Sequence, residues 1–457
     1  MNHIALARRL TVFVVLALGA LARAADAPVV APSGDTTAPA QPTFVIGKWK
    51  TTLYGFAETD AIRDSTQSFA DLQGAGIIGK PGTAAGDNSR FQLSVRNSRL
   101  GFRLEAPETH GVKASALAEM DFYGYDPAPY AANSEAGFFN NPTFRLRHFW
   151  VKVESPWLDV LAGQSWELFG WQPYFQPATA AVQGVPGEVY ARTAQVRLGK
   201  VLHLGDTLLE VQAAALRPPE RDTGLPDLQA GARFEFSGWT GFKSTGGAVT
   251  GASALSFGVS ALYRKLRLAP AMPASTSDFN VATGSALAVD ALVPILRGSK
   301  TSRAGAVTLV AEFTRGSGYA DLFTGLTGGA AALAPPGATD KYAPDLDAGL
   351  AGYATDTGTF TTVDWQTAIA SLQIFTPVQD GALWLSLAAS DTRSDNVQQF
   401  NKAGATCTAM RWYSVSVFYD LTPAVRFALD EALVAQQMSD QTTRQNLRTQ
   451  LSAYFIF

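Results

Sequence analysis

The chain has 457 residues, of which 47% are hydrophobic and 16% charged, with a formal net charge of −3. That balance argues against a bulk-electrostatic nucleic-acid binder, so no nucleic-acid partner is expected. No apolar run of about 18 residues follows the first thirty, which argues against membrane-spanning helices, and a single cysteine, Cys407, rules out an internal disulfide.

Residues 1–24 read as a cleaved secretory signal: Arg8 and Arg9, a short apolar core over Thr11–Ala22, then the small-x-small site Ala22-Arg23-Ala24. Residues 25–47, rich in Ala, Pro and Thr, cannot bury a core and read as a flexible periplasmic lead-in. From Trp49 onward, apolar and polar residues alternate between turn signals, the pattern of half-buried strands. The first eight strands are predicted over Trp49–Asp64, Arg90–Glu105, Val112–Tyr123, Thr143–Glu154, Trp157–Leu168, Val189–Lys200, Asp206–Arg217 and Asp227–Ser237. Eight more follow over Ala252–Arg267, Asp278–Val293, Ala304–Arg315, Thr359–Phe375, Ala382–Thr392, Ala409–Leu421, Ala424–Gln436 and Arg444–Phe457.

Several even-numbered connections are short, such as Ser155-Pro156 and Thr422-Pro423, and several odd-numbered ones are long, such as 65–89, 124–142 and 316–358. Two even connections, 238–251 and 296–303, are longer than this rule prefers and suggest a misplaced strand. In the last strand Leu447, Leu451, Ala453, Phe455 and Phe457 share one face, against Arg448, Gln450 and Ser452. Such a terminal strand is an aggregation-prone edge unless it closes on the first strand. Trp49, Tyr54, Trp157, Trp384, Tyr413 and Tyr454, near strand ends, suit interfacial belts. The expected fold is therefore all-β: residues 48–457 as a transmembrane antiparallel β-barrel of about sixteen strands, with long extracellular loops and short periplasmic turns.

Three blocks carry a family likeness: Leu53-Tyr54-Gly55-Phe56-Ala57-Glu58-Thr59-Asp60, Arg96-Asn97-Ser98-Arg99-Leu100-Gly101-Phe102-Arg103, and Leu146-Arg147-His148 followed by Leu161-Ala162-Gly163-Gln164-Ser165-Trp166. With the terminal Phe457 they resemble the DcaP-like family of trimeric outer-membrane porins. The likeness implies a homotrimer in the Gram-negative outer membrane that takes up small anionic organic molecules such as dicarboxylates. It covers residues 53–197 best; the rest reads as generic barrel. Family members often carry a coiled-coil extension, where this chain has a short Pro/Ala/Thr tether.

In such a barrel, function is selection by charge and width at a constriction. The loop after the fifth strand, 167–187, is the expected constriction, with Glu167, Trp171, Tyr174 and Gln183 its candidate residues; the alternative is an extracellular loop at a subunit contact. Arginines crowd the flanking strands, and on the lipid face at the bilayer midplane each would cost about 2–4 kcal/mol. Arg96, Arg99, Arg145, Arg147 and Arg197 are therefore the expected pore-lining residues, opposite the acids Glu119 and Asp121 and setting up a transverse field. Arg96 and Arg99 have opposite parity, as do Arg192 and Arg197; a bulge, or one member at the rim, would resolve each conflict. The other reading has these arginines merely solvating the wall or paired with acids. No cofactor or metal site is read, and no enzyme: among the histidines only His148 lies in a strand. The expected activity is passive diffusion of small hydrophilic solutes, leaning to organic anions. A general or cation-preferring porin, a lipase-like barrel enzyme and a plugged structural barrel are the alternatives.

Overall fold

Among the residues described by the computed structural model (41–124, 143–219, 223–248, 250–268, 280–299, 302–326, 346–347, 349–400 and 406–457), the period-two pattern becomes one closed antiparallel sheet of sixteen barrel strands. The first eight are β1 Trp49–Asp64, β2 in two segments (Arg90–Ser94 and Arg99–Glu105), β3 Lys113–Gly124, β4 Thr143–Glu154, β5 Asp159–Trp166, β6 Arg192–Leu204, β7 Thr207–Leu216 and β8 Asp227–Lys243. The second eight are β9 Gly251–Leu268, β10 Asn280–Leu296, β11 Val307–Ser317, β12 Asp364–Phe375, β13 Leu383–Arg393, β14 Cys407–Asp420, β15 Val425–Met438 and β16 Thr443–Ile456. Each strand pairs with its sequence neighbours, and β16 returns to β1 over Phe56↔Ile456 to Asp64↔Arg448. Phe457 completes the closure: its backbone N–H and C=O both bond to Gly55. With no free edge, every barrel strand finds backbone partners without water, the condition a strand must meet in lipid.

The faces divide as the alternation requires. On β16 the inward set Arg444, Asn446, Arg448, Gln450 and Ser452 is buried, while Leu451 and Phe455 project outward. On β2 the outward set is Phe91, Leu93, Phe102 and Leu104. The aromatic belts need correction. Trp49, Trp157 and Tyr413 are exposed outward, but Trp384 and Tyr454 are buried inside, and Tyr54 donates its hydroxyl to Glu119. Trp384 stacks on Phe418 with ring centroids 3.9 Å apart. Among the described residues no helix is long and apolar enough to cross a membrane, which says nothing of strands.

Three local departures from the sequence reading have physical causes. The end of the expected lead-in, Thr43–Ile46, forms a short strand paired with Trp49–Thr52 across a two-residue turn at Gly47-Lys48. The signal segment and the rest of the lead-in lie outside the described residues. β8 does not stop at Ser237: a bulge between Phe236 and Thr240 carries it on to Lys243, pinned by the Trp239 indole donating to the Pro294 carbonyl at 2.8 Å. The connection shrinks to 244–250 and tucks inward, where the Arg426 guanidinium donates to the Thr245, Gly246 and Ala248 carbonyls. The strand expected from Thr359 starts instead at Asp364, because Phe360–Thr362 pairs with Ala351–Tyr353 in a hairpin of its own.

Three long connections from one end of the barrel fold into it and share a hydrophobic core. Residues 65–89 contribute Phe69 and Ile78; 167–191 contribute Phe169, Val185 and Val189; the β11–β12 connection contributes Tyr319, Leu322, Phe323 and Leu350. They pack on Leu262, Leu266, Trp365 and Trp412 of the wall. Burying each large apolar side chain contributes roughly 1.5–3 kcal/mol, which is why segments of this composition fold inward.

Candidate functional site

Two bulges build the site. Along β2, Ser94 faces Asp60 and Arg99 faces Phe56, so Arg96-Asn97-Ser98 adds one residue against β1. The extra residue flips the parity, and Arg96 and Arg99 both turn to the interior. The second bulge was not foreseen. On β4 Leu146 faces Met120 and His148 faces Glu119, leaving Arg147 as the extra residue. Arg147 and His148 therefore both point inward.

The resulting cluster is tightly paired. Arg145 grips Asp121 with two bonds, Nε–Oδ1 at 3.0 Å and Nη2–Oδ2 at 2.6 Å. Arg147, 1% exposed, bridges Glu119 (2.7 Å) and Asp121 (2.9 Å) and donates to the Tyr190 hydroxyl at 3.2 Å. Arg99 lies 3.5 Å from Glu119. Three guanidiniums thus meet two carboxylates, leaving one positive charge in excess. The expected transverse arrangement is overturned here: Glu119 and Asp121 do not face the arginines across the lumen but lie among them on the same wall, because β3 sits between β2 and β4. Arg96 pairs instead with Asp71 of the 65–89 connection at 3.0 Å, a clamp on that loop.

Aromatic rings fix the guanidinium planes. Arg96 and Arg145 lie over Tyr123, Arg147 over Trp166, and Arg192 over both Trp166 and Tyr190. Such contacts contribute about 0.5–2 kcal/mol and leave the donor edges free. The parity conflict of Arg192 and Arg197 is settled without a bulge. Arg197 points inward to Gln195 (3.0 Å) and Gln212 (3.1 Å), while Arg192, first residue of its strand, stacks at the rim. Among the described residues neither has a carboxylate partner.

The loop 167–191 runs across the interior to the far wall. Its backbone is held by side chains of β8, β9, β11, β12, β13, β14 and β16, for example Gln229, Ser260, Glu312, Ser371, Ser386, Ser416 and Gln450. Among the described residues, no side chain of β2–β7 bonds to that backbone. The loop backbone is thus anchored away from the arginine wall, which the loop touches through the Tyr190 side chain. Of the four loop residues singled out, Glu167 and Trp171 are anchors. The Glu167 carboxylate accepts from Thr193 (2.7 Å) and Gln229 (2.6 Å), and the Trp171 indole donates to the Val259 carbonyl (3.0 Å). Tyr174 is exposed, with Arg233 3.9 Å from its ring centre. Gln183 is half-buried, and its amide atoms bond to none of the described residues. Tyr190 was missed, although its place beside Arg192 at the end of a Pro- and aromatic-rich loop was a usable signal.

Gly170 adopts φ 72°, and a Cβ there would stand 2.6 Å from Glu312 Oε2. Gly170→Ala is expected to displace the root of the loop and lower stability by about 1–3 kcal/mol, read as a lower melting point and altered single-channel conductance. Burial perturbs several titratable groups of the loop, and two of them, Tyr190 and Glu188, bear on its response to pH. Burial pushes the Tyr190 hydroxyl up, but Arg147, Arg192 and Arg99 outweigh it and bring it down to about 8. Burial pushes the Glu188 carboxyl up to about 8, against the pull of the Gly184 and Val185 N–H groups that it accepts. The folded loop keeps a proton that a free glutamate releases near about 4.3. Its stabilisation therefore declines as pH rises from there to about 8 and is flat above. Raising the pH through this window is expected to loosen the loop and increase open-channel noise, and Glu188→Gln to abolish that dependence.

No family model and no curated protein matches the chain. Solved structures do. The outer-membrane channel DcaP of Acinetobacter baumannii aligns with a TM-score of 0.63 at 16% identity, covering 91% of this chain and 99% of that one. The fold is that of the outer-membrane porins. Salmonella typhi OmpF, solved in complex with daunomycin, aligns with a TM-score of 0.51 at 10% identity over 91% of this chain and 100% of its own. On this porin fold the infolded 167–191 loop and the arginine wall are the elements that can set width and charge.

Proposed function

We propose that the protein is an outer-membrane porin giving passive diffusion to small hydrophilic solutes, with a preference for organic anions such as dicarboxylates. The observation that carries the reading is the excess of guanidinium on the interior wall to which the infolded loop's backbone is not anchored. Arg99, Arg145 and Arg147 outnumber Glu119 and Asp121, and Arg192 and Arg197 add charges without carboxylate partners among the described residues. An arginine fork stays charged at every relevant pH and matches a carboxylate with paired donors. Assembly as a homotrimer, export through a cleaved signal, and pore-lining roles for Arg99, Arg145, Arg147 and Arg197 belong to the same proposal. Tyr174 and Gln183 are the loop residues proposed to narrow the passage. Against the barrel-lipase alternative, His148 is buried inside against Trp166 rather than on the outer face.

Reversal potential in planar bilayers across a potassium chloride gradient tests the reading. Chloride preference is expected, and strong potassium preference would overturn it.

A further inference from the structure

A cavity of about 340 Å³ opens at the rim between the starts and ends of β5, β6 and β7 and the β11–β12 connection, next to the paired arginine cluster, whose Arg147 donates to the Tyr190 that lines it. Its size falls in the range of about 300–1,000 Å³ typical of small-ligand pockets. One side is basic. Arg192 is pinned over the Trp166 and Tyr190 rings, at 4.6 and 4.8 Å, and its Nη1 is buried with no hydrogen-bond partner. Arg217, just past β7, has no ion-pair partner among the described residues and also lines the cavity. A buried guanidinium nitrogen without an acceptor is a standing demand for an anion.

The floor is different. Arg264 there is paired through both terminal nitrogens with Asp227 (2.8 Å) and Asp321 (2.6 Å), which offset its charge although its Nε has no partner, so the floor presents the acceptor lone pairs of Asp321. Glu167 lies beside it. Gln164 spends its amide N–H₂ on the Leu146 and Arg147 carbonyls, which leaves its amide oxygen to accept. A second carboxylate on the ligand would meet Asp321 and Glu167, so a diacid is disfavoured, whereas hydroxyls find acceptors.

Resting on the anion-preferring porin reading above but not on its dicarboxylate example, we propose that this cavity binds a hydroxylated monocarboxylate. Its carboxylate lies between Arg192 and Arg217, and its hydroxyls donate to Asp321 and Gln164. The site holds such a solute at the rim before it enters the passage.

The test uses the full chain in planar bilayers, with gluconate as the probe and succinate and glucose as comparisons. Gluconate is expected to interrupt the current in a concentration-dependent way, more strongly than succinate, while glucose has no effect. Arg217→Gln is expected to weaken gluconate by at least about tenfold, as loss of a charged hydrogen-bonding partner does; this variant decides the matter even where Arg192→Gln fails to fold. Gluconate interruption that is equal in wild type and Arg217→Gln, or succinate acting as strongly as gluconate, overturns the site even if chloride preference is intact. A potassium-preferring wild type that gluconate still interrupts through Arg217 overturns the anion-selective reading and leaves this site standing.

Discussion

Replacing Arg145 and Arg147 together by alanine lowers the ratio of chloride to potassium permeability and moves it toward cation preference. The cluster holds Arg99, Arg145 and Arg147 against Glu119 and Asp121. Removing two guanidiniums turns a local excess of one positive charge into an excess of one negative charge. At roughly 10 Å from a passing ion, in a medium between protein and water, a change of that kind is worth on the order of 1 kcal/mol, or about fivefold in permeability ratio. Two controls separate charge from collapse. Arg147→Ala alone strips Glu119 and Asp121 of a buried partner and is expected to destabilise the barrel by about 3–5 kcal/mol. The double variant combined with Glu119→Gln and Asp121→Asn leaves Arg99 as the one charge of the cluster, so the local excess returns to one positive charge, and stability and anion preference are expected to recover together. Reversal potentials and thermal unfolding of the two sets settle the matter. Unchanged selectivity in a folded double variant would remove these residues from the pore-lining set.

A stability loss as large as that of Arg147→Ala is expected from Arg448→Ala. Arg448 and Asp64 are both fully buried and joined by two bonds, at 2.9 and 2.7 Å, across the seam where β16 meets β1. The same guanidinium also donates to the Ala70 and Asp71 carbonyls, which ties the 65–89 connection to the interior. Alanine leaves Asp64 charged and without that partner, and two carbonyls without a donor, a loss of about 3–5 kcal/mol. Asn446, which donates to Asp64 at 2.7 Å, cannot replace a charge. The expected outcome is a lower temperature of barrel unfolding on a detergent gel, with easier proteolysis of 65–89 in the folded barrel. Arg448→Ala with Asp64→Asn recovers part of the first effect and little of the second, since the two carbonyls stay uncapped. A variant as stable as wild type would show that the closing seam does not depend on this pair.

The aligned DcaP and OmpF structures share the barrel at 16% and 10% identity, so they speak for architecture and leave the chemistry to this chain's own residues. Those residues were legible to different depths. Alternation in 447–457 placed the faces of β16 correctly, since on a strand each side chain has one of only two directions. The clash of parity between Arg96 and Arg99 called for a bulge, and β2 contains it. The pairing of Arg147 with Glu119 was hidden. Twenty-eight residues separate them in sequence, and the register that brings them together depends on the β4 bulge, which no local pattern announced. Asp121 was placed on the wrong side of the lumen for the same reason: composition gives a residue's face but not its neighbour across the sheet.

By itself, then, the amino-acid order determined the strand count, the two faces of a regularly alternating strand such as β16 and the need for closure, because these follow from period-two alternation and a backbone that must satisfy its own hydrogen bonds in lipid. Only the tertiary structure decided where the charge sits. Three connections, carrying Phe69, Phe169 and Phe323, collapse onto Trp365 and Trp412 and fill one side of the barrel. That collapse is driven by apolar area buried between segments hundreds of residues apart, a quantity with no local signature, and the excess arginines of β2–β4 lie outside that apolar core.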